Sequence, residues 1–128
     1  MAAWALDDAG AQRFADAVVR SRDAGGRAFA VVDKPVATVW VFDARGRLLA
    51  QSPVLVGQAP GDVAPPDIGT RPLAKVKPSE KITAAGRYVT EPGRNTRGED
   101  IVWLDYDAAL SMHRVRDVPG EHRPARLR

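Results

Sequence analysis

The sequence predicts a mainly β fold, of β-sandwich or barrel type with mixed sheets, opened by one N-terminal helix. Three observations predict it. Apolar spacing of helical period is confined to the first segment, at least five later runs are rich in β-branched and aromatic residues, and Gly, Pro and Asp clusters separate those runs. A chain of 128 residues, 45% hydrophobic and 27% charged, has the composition of one ordinary globular domain rather than a disordered or collagen-like chain.

The helix comes first. Asp7 or Asp8 can cap its free N–H groups, and negative charge suits that end of the helix dipole. Phe14, Ala15, Val18 and Val19 recur on one side, with Gln12, Arg13, Asp16 and Arg20 on the other. Gly25-Gly26 is the expected stop, because glycine enters the left-handed cap conformation without steric cost. So narrow a stripe covers a sheet rather than building a bundle.

Strands follow. Ala28 to Asp33 is a short apolar run closed by Lys34-Pro35. Val36 to Asp43 (VATVWVFD) has the texture of a strand covered on both faces. Asp43-Ala44-Arg45-Gly46 is a tight turn, with Gly46 at the position that requires positive φ. Arg47 to Gly57 returns as the partner strand, and Pro53 marks a bend or a sheet edge. Gln58 to Pro72 is a long loop whose glycines have no phosphate-cradle spacing, and Lys75 to Ile82 continues irregularly. Gly86 to Thr90 predicts a further strand, broken by Glu91-Pro92-Gly93. Arg94 to Asp100 is a charged turn, Ile101 to Tyr106 a strand, and Ala109 to Val115 another.

Composition excludes several chemistries. With no cysteine, the chain has no disulfide, no thiolate metal site and no thiol nucleophile of its own. No segment approaches the ~20 apolar residues of a membrane-spanning helix. Met1 to Leu6 lacks a basic start, and Asp7-Asp8 interrupts any signal-peptide core, so no export signal is visible. A net charge of +3 is too even for a nucleic-acid footprint. Arg114, Arg116, Arg123, Arg126 and Arg128 do thicken toward the C-terminus, which reads first as a solvated tail and only second as a basic nucleic-acid-binding module.

Few residues are equipped for catalysis. His113 stands near the end of an apolar run, where an imidazole titrating close to neutrality can act as a general base. Ser111, two residues earlier, is ~6.5–7 Å away along a strand, too far for a nucleophile–base hydrogen bond, and no G-x-S-x-G elbow is present. A metal site would need His113 and His122 to converge with Asp105, Asp107, Asp117 or Glu121, and the spacing fits no ligand pattern. The pairs Asp7-Asp8 and Glu99-Asp100 read as a helix cap and a turn. Trp40 and Trp103, each inside a strand, read as core anchors.

Taken in order, these segments resemble the catalytic domain of the L,D-transpeptidases, the YkuD-type enzymes of peptidoglycan cross-linking. The strand ending in Asp33-Lys34, the hairpin Val39 to Leu49, Pro53 to Gly57, and Thr83-Ala84-Ala85-Gly86 at the place of the family's T-P-x-G motif carry the resemblance. So do Ile101 to Tyr106 and then Ser111-Met112-His113. It covers Ala28 to about Val115. Ala84 replaces the family's usual proline, and the S-x-G-C segment with the cysteine nucleophile does not occur.

The resemblance implies cysteine acyl transfer on tetrapeptide stems. A thiolate activated by the histidine attacks the L,D carbonyl, expels D-alanine, and is resolved by an amine or water. Only His113 carries over as a catalytic residue. No cofactor or metal is implied, the partners are peptidoglycan stem peptides with no nucleic acid expected, and the location is the periplasm or cell envelope. The expected organisation is a helical segment at 1–27, a partial transpeptidase-like β-domain at 28–118, incomplete toward the C-terminus, and a loose basic segment at 119–128. Such a chain is expected to be inactive and to self-associate through an uncovered sheet edge. A non-catalytic β-domain that binds peptidoglycan or a protein is the alternative.

Overall fold

A computed structural model describes residues 7–57, 61–72, 75–108, 110–115, 119–120 and 122–127. Of the residues named above, Met1 to Leu6, Gln58 to Pro60, Ala109, Arg116, Asp117, Glu121 and Arg128 lie outside the described residues. The chain forms two compact units, Met1–Leu55 with Ala125–Arg128, and Val56–Pro124. The mainly β reading with one long helix at the start holds: each unit contains a three-stranded sheet, and both sheets are antiparallel throughout.

In the first unit, α1 (Asp8–Ser21) begins at Asp7, whose carboxylate accepts the Gly10 N–H at 2.7 Å. It ends three residues earlier than a cap at Gly25 would place it. Arg22 itself takes the left-handed cap conformation (φ 59°), and Gly25 and Gly26 lie in the turns that follow. The buried face also differs from the expected stripe. Gly10, Ala11 and Ala15 are buried and Val18 and Val19 half-buried, while Phe14 is 53% exposed. Small residues at the contact let the helix lie close to its sheet, and this close approach leaves the larger Phe14 ring at the rim.

That sheet has the order β1 (Phe29–Asp33), β2 (Thr38–Phe42), β3 (Leu48–Pro53). β2 starts two residues later than predicted because Ala37 adopts positive φ (47°) and closes a Lys34–Ala37 turn, its N–H donating to the Lys34 carbonyl at 3.0 Å. Trp40 and Phe42 project from the central strand onto Ala11 and Ala15, with Phe29 and Val31 packed alongside. Phe29 opposes Phe42 across the ladder and stacks on it at 5.3 Å. The turn after β2 forms as predicted, with Gly46 at φ 82°. The Asp43 carboxylate accepts the backbone N–H groups of Arg45 and Arg47, both at 2.9 Å. Gln12 of α1 donates to the Gly46 carbonyl at 2.8 Å, tying the turn to the helix. The helix therefore shares its core with β1–β3, whereas the sequence partition set 1–27 apart from 28–118.

In the second unit the order is β4 (Glu91–Arg94), β5 (Asp100–Asp105), β6 (Leu110–Met112). Gly86 to Thr90, predicted as a strand, is irregular, and the strand is instead the Glu91-Pro92-Gly93-Arg94 stretch that reads as a breaker. Two facts explain the reversal. β4 lies at a sheet edge, where the missing N–H of proline is tolerated. Gly93 lies against the Trp103 ring of β5, and a Cβ there would stand 2.7 Å from the indole Cδ1 and Nε1. Asn95 and Glu99 close the β4–β5 turn, the Asn95 side-chain oxygen accepting from Arg97 N and Glu99 N. A short helical turn, α2 (Arg123–Arg126), lies within the tail expected to be loose.

Candidate functional site

The second unit holds Thr83 to Gly86, Ile101 to Tyr106 and Ser111 to His113, whereas Asp33-Lys34 and the hairpin Val39 to Leu49 lie in the first. Thr83 to Gly86 is held from three directions. The Thr83 hydroxyl accepts the Gly57 N–H at 2.6 Å, the Ala84 carbonyl accepts the Tyr88 hydroxyl at 2.9 Å, and the Ala85 N–H donates to the Asp62 carbonyl at 2.9 Å. Residue 57 has to be glycine for this. A Cβ there would collide with the Lys81 carbonyl and stand 2.8 Å from Thr83 N. The Ala84 carbonyl is thus fixed by a tyrosine four residues on, although residue 84 lacks the backbone restriction of proline.

The long loop is pinned by charge. Arg71 donates through Nε and Nη2 to the two carboxylate oxygens of Asp67, at 2.9 and 2.7 Å, and through Nη1 to Glu80. Glu80 also accepts the Lys77 N–H at 3.1 Å across a 3₁₀ turn, Pro78–Glu80. The Arg71 guanidinium holds both the Asp67 and the Glu80 carboxyls below their ordinary values, with the Lys77 backbone N–H adding to the second. These two anions in turn push Arg71 up. The cation is thereby committed to the loop rather than offered to a ligand.

His113 follows the last paired residue of β6 and is exposed. Its Nδ1 lies 2.7 Å from the Arg114 carbonyl. A carbonyl only accepts, so Nδ1 carries the proton and Nε2 holds the lone pair in the neutral ring. Ser111 opposes Trp103 across the β5–β6 ladder and is half-buried. No cysteine exists in the chain to face the imidazole.

Other candidates resolve into structural roles. Asp7 caps α1, and Asp8 accepts the Trp40 indole N–H at 3.1 Å, a contact that sequence reading did not find because nothing local links residues 8 and 40. Asp100 lies 3.6 Å from Arg94 on an exposed face, and Glu99 accepts the Asn95 amide at 3.1 Å. Among the described residues no three His, Asp or Glu side chains converge as a metal site, and no helix is long and apolar enough to cross a membrane. No family model, curated protein or solved structure matches this chain.

Proposed function

We propose that this chain is an L,D-transpeptidase-like domain that recognises peptidoglycan stem peptides and lacks, within its 128 residues, the thiol needed to act on them. The observation that carries the reading is the Gly57–Thr83 hydrogen bond. Two of the segments that resemble the family, Pro53 to Gly57 and Thr83 to Gly86, are 26 residues apart and meet through it. The state of His113 adds support. An imidazole that donates from Nδ1 to a carbonyl keeps Nε2 as its basic nitrogen, the arrangement a general base needs.

The chemistry then divides between what is present and what is missing. Nε2 of His113 can take a proton from a thiol, and the resulting thiolate would attack the carbonyl of the L,D bond and release D-alanine. Without that sulfur the chain binds and does not turn over. The same reading gives it a place in the periplasm or cell envelope.

Nuclear magnetic resonance titration of the labelled chain with a stem tetrapeptide tests this. Shifts are expected at Thr83 to Gly86 and at His113, with no D-alanine released. A tetrapeptide that leaves those resonances unmoved at millimolar concentration overturns the reading, and so does D-alanine release by the purified chain.

A further inference from the structure

Independently of that reading, the second sheet carries an aromatic corner that the stem-peptide chemistry does not use. Trp103 of β5 is opposed by Glu91 of β4 on one side and by Ser111 of β6 on the other, and the β5–β6 register shifts only beyond these pairs. Directly opposed residues share a face of an antiparallel sheet with Cβ atoms ~4.5–5.5 Å apart, so Glu91 and Ser111 flank the indole. Past the shift, Tyr106 comes back onto Trp103. The two rings meet edge to face, with centroids 5.0 Å apart and planes inclined at 71°. Tyr106 is 74% exposed, so the angle between the rings opens to solvent. Among the paired residues up to the shift, alternation leaves Glu91 as the one charged side chain on this face, beside Gly93, which adds no side chain. The Glu91 carboxylate, the Tyr106 hydroxyl and the Trp103 N–H have no hydrogen-bond partner among the described residues. Since no buried side-chain nitrogen or oxygen there lacks a partner, the Trp103 N–H reaches water.

We propose that this corner binds an organic ammonium ion, the methylated nitrogen resting between the Trp103 and Tyr106 rings with the Glu91 carboxylate beside it. The negative face of an aromatic ring attracts a cation, and indole does so best. Two rings set near a right angle suit a compact, rounded cation. A sugar or a nucleobase would stack on one flat face left open, and here the edge of one ring stands on the face of the other. Glu91 sets the sign of the ligand, because an unpaired carboxylate beside the rings repels anions and favours cations. Methyl groups on the nitrogen add apolar surface to lay against the rings, which a hydrated alkali cation cannot offer.

Nuclear magnetic resonance titration of the full chain with choline chloride at constant ionic strength tests this, read at the Trp103 indole N–H, which Trp103→Phe assigns. The control ligand is the uncharged isostere of choline in which carbon replaces the nitrogen. Choline is expected to move the Trp103 signal with a Kd of about 10 mM, the scale of two exposed ring contacts and one screened charge. The Trp40 signal, held by Asp8 in the first unit, should stay in place. The isostere should bind about fivefold more weakly. Glu91→Gln and Tyr106→Leu lie at exposed positions, and circular dichroism confirms that each is folded. Each should weaken choline about threefold, judged by affinity rather than by the size of the shift. No saturable shift at Trp103 up to about 100 mM choline, ten times the expected Kd, would overturn the proposal. So would an isostere that binds as well as choline, or unchanged affinity in either variant.

Discussion

Each unit holds a three-stranded antiparallel sheet, but they do so by different means. In the first, Trp40 and Phe42 are 2% and 1% exposed and rest on Ala11 and Ala15 of the helix. In the second, Ile101 at 5% is the one comparably buried apolar residue among those described, and the irregular segments are fastened by polar links: Gly57 to Thr83, Tyr88 to Ala84, Arg71 to Asp67 and Glu80. Apolar burial is non-directional and scales with area, so it fixes a helix on a sheet firmly. Directional bonds fix particular atoms instead, and so hold irregular backbone in place where little apolar area is buried.

The contrast can be broken most strongly at its apolar end. Trp40→Ala empties a buried indole site, and urea denaturation should show a loss of about 3–5 kcal/mol. A smaller effect belongs to the close approach at residue 57. Gly57→Ala should cost about 1–3 kcal/mol, since the added methyl forces the backbone around Lys81 and Thr83 to move. Hydrogen exchange should show Gly57 losing its protection while Trp40 and its neighbours keep theirs.

The weakest expected effect is the Arg71 cluster, which is solvent-screened. Its sign follows from the lowered carboxyls of Asp67 and Glu80. Their contribution is complete above the ordinary values of 4.5 for Glu80 and 3.8 for Asp67. It is lost as pH falls from there through the lowered folded-state values. Acid should therefore loosen the loop below pH 4.5, seen as falling protection factors at the Glu80 and Lys81 amides, and Arg71→Gln should weaken that acid dependence, leaving the part that the Lys77 N–H gives Glu80.

The same contrast governs how much could be read from the sequence. The β2–β3 hairpin was legible because Thr38 to Phe42 and the Asp43-to-Gly46 turn are each specified by their own residues. The strand Glu91–Arg94 was not, because Pro-Gly weakens a strand locally and only the edge position and the Trp103 ring opposite make it acceptable. Helix α1 was legible in its cap at Asp7 but not in its face, where Gly10 and Ala11 outweigh Phe14 through a packing distance no periodicity records. Within the candidate site, His113 was visible as a residue type in an apolar run, but its exposure just past the last paired residue depends on where β6 stops. The Arg71 cluster and the Gly57–Thr83 bond were invisible, being contacts between loop residues of unremarkable composition.

The placement of the indoles has a practical use. Trp40 is shielded in the first unit with its N–H held by Asp8, and Trp103 is half-covered in the second with Tyr106 at 5.0 Å, edge to face. Excited at 280 nm, a wavelength phenols also absorb, Trp103 should receive energy from Tyr106, whereas Trp40 should emit at the blue end expected of an enclosed ring. With Trp4 also replaced by phenylalanine, replacing one of these two indoles would leave the other as an optical label for its own half of the chain, so the order in which the halves come apart can be followed by colour.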